Sequence, residues 1–100
     1  GFVIMHDCNP PTRFHQRETY LVKGKYLEWN GTTWRSYVEL RMNNPELEMH
    51  VVNTDWGIGI IQKGKQKCYP RIEDLKYKHL QDDRENILNL ISVYNFLEKF

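Results

Sequence analysis

Four polar residues that could do chemistry follow one another at the end of the first apolar run of the chain. The run is 2–5, Phe-Val-Ile-Met, and the polar residues are His6, Asp7, Cys8 and Asn9. An apolar run without polar alternation is typical of a strand buried on both faces, as in a parallel sheet covered by helices. In open α/β sheets, ligands bind just beyond the carboxyl ends of such strands. The sequence therefore predicts a functional site at residues 6–9.

Asp7 is the leading catalytic candidate. Its carboxylate could bind a divalent cation through oxygen, orient a substrate hydroxyl or accept a proton. With equal weight, it could cap the turn into Asn9-Pro10 by accepting local backbone hydrogen bonds. His6 could act as a general base, although a hydrogen-bonded histidine at the sheet edge is the favoured interpretation.

Other residues are weaker candidates. Cys8 lacks any pattern of an activating partner, which favours a structural role. Asn9 and His15 could contact a substrate, and Trp56, in the turn Asp55-Trp56-Gly57, could line its pocket. For Trp56, packing against the core is the favoured alternative. The chain contains no Gly-rich phosphate loop, no nucleophile elbow and no His-x-x-His pattern.

Length and composition narrow the class of protein. The 100 residues predict one domain, and a formal charge of +1 gives no electrostatic reason to expect nucleic acid or a membrane as partner. The two cysteines match no zinc spacing. No signal peptide pattern and no apolar run of about 20 residues is present, so we expect a cytoplasmic protein with reduced thiols. The lysines at 63, 65 and 67 suit a solvated hairpin rim better than a phosphate site.

The periodicity of apolar residues predicts a small α/β domain. We expect a strand at 2–6, a lid-like excursion over 9–29 with a hairpin around Lys23-Gly24-Lys25, and a helix over 33–42 capped by Thr32. The helix buries an apolar stripe, and its polar residues are predicted to face out. The stripe is Trp34, Tyr37, Val38 and Met42, and the outward residues are Arg35, Glu39 and Arg41.

The second half of the chain adds a hairpin and helices. Strands at 49–53 and 58–63 are joined so briefly that they should pair antiparallel, and Gly59 predicts a bulge or a close backbone approach. The residues 82–85 have the form of a helix cap, and a last helix is predicted over 93–99. The result is a three-stranded mixed sheet with flanking helices.

Three blocks of residues, taken in order, resemble a known family. They are 6–12 (His-Asp-Cys-Asn-Pro-Pro-Thr), 29–35 (Trp-Asn-Gly-Thr-Thr-Trp-Arg) and 52–61 (Val-Asn-Thr-Asp-Trp-Gly-Ile-Gly-Ile-Ile). Together they resemble the C-terminal half of class I S-adenosylmethionine-dependent methyltransferases, closest to the bacterial small-molecule or sugar methyltransferase type. The likeness spans about residues 1–64, and the tail matches only loosely.

The resemblance implies a partial Rossmann-like methyltransferase fold. The strands at 2–6, 49–53 and 58–63 would be the fifth, sixth and seventh strands of that fold. The sheet order would be 1-3-2, with the third strand of this chain antiparallel between the other two. The family holds S-adenosylmethionine with a Gly-rich loop and an acidic residue that have no counterpart here, so we expect no methyl transfer by this chain alone. The start at Gly1, directly before a strand, also leads us to expect a segment of a larger fold.

Metal-dependent relatives bind magnesium through an Asp-Asn pair after the fifth strand. Asp7 matches the Asp, but Cys8 stands in place of the Asn. The resemblance therefore supplies one of the two magnesium ligands of those relatives.

Two functional hypotheses follow. In the first, the chain is the substrate-side part of a methyltransferase, in which Asp7, with His6 or His15, positions the acceptor hydroxyl of a small molecule. In the second, the chain is a non-catalytic binding or assembly module. The free edge of residues 2–5 would then pair with a partner strand or with a second copy in a homodimer.

Overall fold

The computed structural model describes residues 2–12 and 32–99, together with the backbone of residues 21–22 and 25–26. The strands are β1 (Val3–Met5), β2 (Leu21–Val22), β3 (Lys25–Tyr26), β4 (Leu47–Val52), β5 (Ile58–Lys63) and β6 (Leu90–Ile91). The helices are α1 (Thr33–Asn43), α2 (Tyr77–Asp82), α3 (Arg84–Leu88) and α4 (Val93–Lys99).

The main sheet has the order β1-β5-β4-β6. Strand β5 is antiparallel to both β1 and β4, as in the pairs Ile4↔Ile60 and His50↔Ile60. The predicted order and directions of these strands are therefore confirmed, but the predicted count of three is wrong. Strand β6 pairs parallel with β4 through Val51↔Leu90 and Val52↔Ile91. It was missed because its two residues are too few to show a period and depend on β4 for their conformation.

Helix α1 packs its apolar stripe into the core, as predicted. The buried cluster combines that stripe with residues of β4, β5, α2 and α3, and includes Met49, Val51, Ile61, Leu80 and Ile87. The Thr32 side chain makes no capping hydrogen bond, so the predicted cap is wrong.

Arg41 also departs from the prediction. We expected it to face out, but it is only 6% exposed. Its guanidinium lies against the C-terminal end of α3, which the periodicity of α1 alone cannot reveal.

Gly59 confirms the predicted close approach. A Cβ atom on this residue would lie 3.1 Å from Cys8 Sγ and 3.2 Å from the Tyr37 ring. The face of β5 that carries Gly59 therefore accepts the Tyr37 side chain of α1 in contact with the backbone.

The tail is more structured than predicted. Helix α3 begins at Arg84, inside the predicted cap, and α4 has the predicted bounds, whereas α2 was missed. Asn89 ends α3 in the left-handed conformation, with φ 52°, which turns the chain directly into β6.

Part of the predicted excursion lies outside the described residues. Within it, β2 and β3 pair antiparallel through Leu21↔Tyr26 and Val22↔Lys25, which agrees with the predicted hairpin. The predicted lid over 9–29 concerns residues that, for the rest, lie outside the described ones. Among the helices that the structure describes, none is both long enough and apolar enough to cross a membrane.

Candidate functional site

Two segments meet at the end of the sheet where β1 and β4 finish. One is the Asp7 loop, residues 6–9, and the other is the Trp56 turn, residues 54–57. The Cys8 N–H donates to the Gly57 carbonyl at 2.9 Å, and the Asn9 N–H donates to the Trp56 carbonyl at 2.8 Å. Strands β1 and β4 run in the same direction, since both are antiparallel to β5. The fold therefore brings the sequence-predicted Asp7 and Trp56 into adjoining segments.

The backbone of both segments is strained. In the described chain, the residues other than glycine with positive φ are Asp7 (58°), Asp55 (44°), Trp56 (63°) and Asn89 (52°). All but Asn89 belong to these segments. Left-handed backbone at a residue other than glycine costs about 1–3 kcal/mol and clusters at functional sites. The strain therefore supports the prediction of a site here.

Gly57 and local hydrogen bonds hold the Trp56 turn in this conformation. The Gly57 N–H donates to the Thr54 carbonyl at 2.7 Å, and the Thr54 N–H donates to the Val52 carbonyl at 2.8 Å. Gly57 has φ 90°, and a Cβ atom there would lie 2.5 Å from Asn9 Cβ. Only glycine allows the turn to pack this closely against the Asp7 loop.

Trp56 presents its side chain to solvent. It is 46% exposed, whereas Trp34 is fully buried. The favoured interpretation, a Trp packed on the core, is therefore wrong. A large aromatic side chain exposed to this extent is the kind of surface that can contact a ligand.

His6 and Cys8 flank Asp7 in opposite environments. His6 is exposed, at the end of β1, and its roles as a general base or as an edge histidine both stay predictions. Cys8 is fully buried, and its Sγ donates to the Met5 carbonyl at 3.5 Å. Burial raises the pKa of the Cys8 thiol to about 12, so the thiol stays protonated. The predicted structural role of Cys8 agrees with this environment.

Asn9 is held by residues far away in the sequence. Its Oδ1 accepts from Arg84 Nη1, which also donates to the Pro10 carbonyl at 2.8 Å. The Tyr77 hydroxyl donates to the same carbonyl at 3.0 Å. We missed Arg84 and Tyr77 because they belong to the tail, and nothing in the local sequence marks them. His15 lies outside the described residues.

The donors beside Asp7 do not fit magnesium. The adjacent Cys8 offers a buried, protonated thiol, and the oxygen of Asn9 is taken by Arg84. Within residues 2–12 and 32–99, no group of three or more His, Cys, Asp or Glu side chains could hold a metal ion.

A polar cleft lies at the opposite end of the sheet, where β4 begins. It has a volume of about 300 Å³ and is lined by Arg41, Glu48, His50, Lys65, Asn89 and Lys99, among others. The Glu48 carboxylate accepts from Gln62 Nε2 at 2.9 Å and pairs with Lys99 Nζ at 3.0 Å. These contacts lower the pKa of Glu48, with the Lys99 hydrogen bond as the largest cause.

The deeper wall of this cleft is Arg41. Its Nη2 donates to the Asn86 carbonyl at 2.6 Å, and its Nε donates to the Ile87 carbonyl at 3.2 Å. Tyr37 adds a bond from its hydroxyl to the Leu88 carbonyl at 2.6 Å. Three successive carbonyls at the end of α3 thus receive donors from α1, and that of Asn86 also accepts from the Asn89 N–H at 3.2 Å. We assign this end of the molecule a structural role.

Comparisons of the chain with family models, with curated proteins and with solved structures found no significant match.

Proposed function

We propose that the chain is the substrate-side, C-terminal part of an S-adenosylmethionine-dependent methyltransferase that methylates a small-molecule or sugar hydroxyl. The observation that carries the proposal is the sheet order β1-β5-β4, with β5 antiparallel between two parallel strands. This is the arrangement that the resemblance implies for the last strands of that fold. The strained Asp7 loop at the carboxyl end of β1 supports a site in the predicted place.

Asp7 would accept a hydrogen bond from the acceptor hydroxyl. A carboxylate that shares this proton increases the electron density on the hydroxyl oxygen and aligns its lone pair. S-adenosylmethionine, when bound, supplies an activated methyl group, and its site would lie outside these 100 residues. The exposed Trp56 ring would cover one face of the acceptor and limit access of water.

The test begins with the coding DNA upstream of Gly1. An in-frame segment with a strand and a Gly-x-Gly loop supports the proposal, whereas a stop codon followed by a start codon contradicts it. The protein from the longest reading frame is then assayed with radiolabelled S-adenosylmethionine and a panel of hydroxylated acceptors. Asp7→Asn should lower kcat by about 100-fold, in the range of a positioned acid or base. Asp74→Asn is the matched control, because Asp74 is exposed and pairs with the exposed Lys76.

The 100-residue chain by itself should not bind S-adenosylmethionine. Titration calorimetry should show no heat of binding, and a micromolar dissociation constant would contradict the expected location of the cofactor site.

A second candidate function rests on the free edge of β1. Phe2, Val3 and Ile4 are each 56–59% exposed, and in the described chain β1 pairs only with β5. An uncharged, exposed edge strand invites pairing with another strand. We propose, as the alternative, a non-catalytic module that assembles through this edge.

Light scattering over a range of concentrations tests the alternative. Concentration-dependent dimers that Ile4→Lys abolishes would support it, since a charge on an edge strand opposes pairing. A monomer at all concentrations would contradict it.

A further inference from the structure

Arg84 links the Asp7 loop to the tail of the chain. Its Nη1 donates to Asn9 Oδ1 and to the Pro10 carbonyl, and its Nη2 donates to the Tyr77 hydroxyl at 2.8 Å. The Tyr77 hydroxyl in turn donates to the Pro10 carbonyl. The two side chains thus form a closed set of hydrogen bonds around Asn9 and Pro10, which we call the Arg84–Tyr77 clamp.

The clamp is anchored in the core. Tyr77 is 5% exposed, and its ring meets the fully buried Trp34 ring edge to face, with centroids 6.2 Å apart. Arg84 Cζ lies 5.9 Å from the centroid of the Tyr77 ring, within the range of a cation–π contact. The position of Asn9 and Pro10 is therefore set by α1, α2 and α3 together.

The place of Arg84 in α3 suggests that the loop, rather than the helix, requires it. Arg84 is the first residue of α3, and a cation does not stabilise the positive end of a helix. Its Nη1 donates to atoms that lie 74 and 75 residues earlier in the sequence, and its Nη2 donates to the Tyr77 hydroxyl of the same clamp. Its described hydrogen bonds serve the segment that carries Asp7.

The Asp7 loop needs support from both sides. On one side, the Cys8 and Asn9 N–H groups bond to the Trp56 turn. On the other side lies the clamp. Since Asp7 has left-handed backbone, the loop would relax toward ordinary φ values unless its neighbours were held.

From this geometry we infer that Arg84 and Tyr77 are positioning residues, which hold the Asp7 carboxylate in the orientation that the acceptor hydroxyl requires. The expected effect on methyl transfer rests on the proposed function, whereas the positioning of the Asp7 loop does not. It assigns a role to the tail, where the resemblance to methyltransferases is weakest.

Hydrogen exchange on the 100-residue chain tests the positioning without any methyl donor. In Arg84→Met, the Cys8 and Asn9 amides should exchange at least about tenfold faster, as expected for loss of charge-assisted hydrogen bonds. The amides of the β4–β5 ladder should keep their rates. Tyr77→Phe, which keeps the ring packed on Trp34, should give a smaller effect at the same two amides. Arg84→Lys, which retains a cationic donor, should restore part of the protection.

Arg71→Met is the matched control, because Arg71 is exposed and bonds to Glu73 and Asn43. Equal acceleration of all amides in Arg84→Met would show a merely global effect and overturn the inference. Unchanged exchange at Cys8 and Asn9 would also overturn it.

Cys8 provides a second readout through its buried thiol. A thiol reagent should label Cys8 faster in Arg84→Met, while the partly exposed Cys68 serves as internal reference. An unchanged ratio of the two labelling rates would count against the inference.

The chemical consequence is measured in the protein from the longest reading frame. Arg84→Met should lower kcat by about tenfold and leave the KM for S-adenosylmethionine unchanged, because positioning acts on the acceptor side. A higher KM for the methyl donor with unchanged kcat would overturn the inference. If the wild-type protein transfers no methyl group, the proposed function fails, whereas the exchange and labelling results still decide the positioning.

Discussion

At the end of the sheet where β4 begins, buried and half-buried polar groups are matched with partners. Arg41 and Tyr37 donate to carbonyls at the end of α3, and Glu48 accepts from Gln62 and Lys99. At the end where β1 and β4 finish, the Asp7 loop and the Trp56 turn have left-handed backbone and an exposed aromatic ring. The hydrogen bonds and ion pairs at the Arg41 end stabilise the folded state, whereas the strained backbone at the Asp7 end destabilises it.

The difference between the two ends supports the proposal of a functional site at the Asp7 end. A protein keeps strained backbone and exposed apolar surface only where the rest of the fold compensates for them, and such places are enriched in binding and catalytic sites. A saturated polar cluster, in contrast, leaves few groups with which to bind a ligand. We therefore place the candidate site at the Asp7 end, although the Arg41 end has the more polar cleft.

The largest expected effect of a single change is at the Arg41 end. Arg41→Met should lower the free energy of unfolding by about 3 kcal/mol, because it removes the Arg41 donor to the Ile87 carbonyl together with the charge-assisted bonds to the Asn86 carbonyl and to Gln66 Oε1. Urea denaturation followed by circular dichroism measures this loss. Arg71→Met, at an exposed ion pair with Glu73, should change stability by less than about 0.5 kcal/mol. A loss below 1 kcal/mol in Arg41→Met, on the scale of one ordinary hydrogen bond at about 1 kcal/mol, would contradict the structural role.

A change of the opposite sign is expected at the Asp7 end. Asp55→Gly should raise the free energy of unfolding by about 0.5–1 kcal/mol, because glycine adopts φ 44° without steric strain. Asp74→Gly is the control, at an exposed residue without positive φ, and should be destabilising because glycine adds freedom to the unfolded chain. If both variants lose stability equally in thermal denaturation, the Trp56 turn is not strained.

The smallest effect concerns Glu48 and depends on pH. Because the pKa of Glu48 is lowered in the folded protein, its contribution is present at neutral pH and is lost as the pH falls through that lowered value. Glu48→Gln should therefore lower stability at pH 7 by less than about 1 kcal/mol, as expected for a partly exposed pair. The difference from wild type should vanish in acid. Urea titrations at a series of pH values measure it, and a difference independent of pH would show that the carboxylate charge is not involved.

The periodicity of apolar residues was enough to predict an element that packs one face against the core along its whole length. The stripe of α1 was predicted for this reason, whereas the bounds of β5 followed from an apolar run after a turn and the start of α4 from a break in the chain before residue 93. Periodicity failed where a contact joins distant residues. Arg41 lies on the predicted outer face of α1, yet it is buried because α3 ends beside it. Strand β6 is too short to show a pattern and exists through its pairing with β4.

The same distinction between local pattern and distant contact applies to the candidate site. The residue types in 6–9 and 54–57, placed after apolar strands, were enough to single out Asp7 and Trp56. They could not show that the two segments bond to each other, or that Trp56 is exposed rather than packed on the core. Only the tertiary structure brought Arg84 and Tyr77 to Asn9 and Pro10, because hydrogen bonds between residues 67 to 75 positions apart leave no local signature. The sequence by itself therefore determined which side chains are available for chemistry, and the packing of the tail decided how they are held.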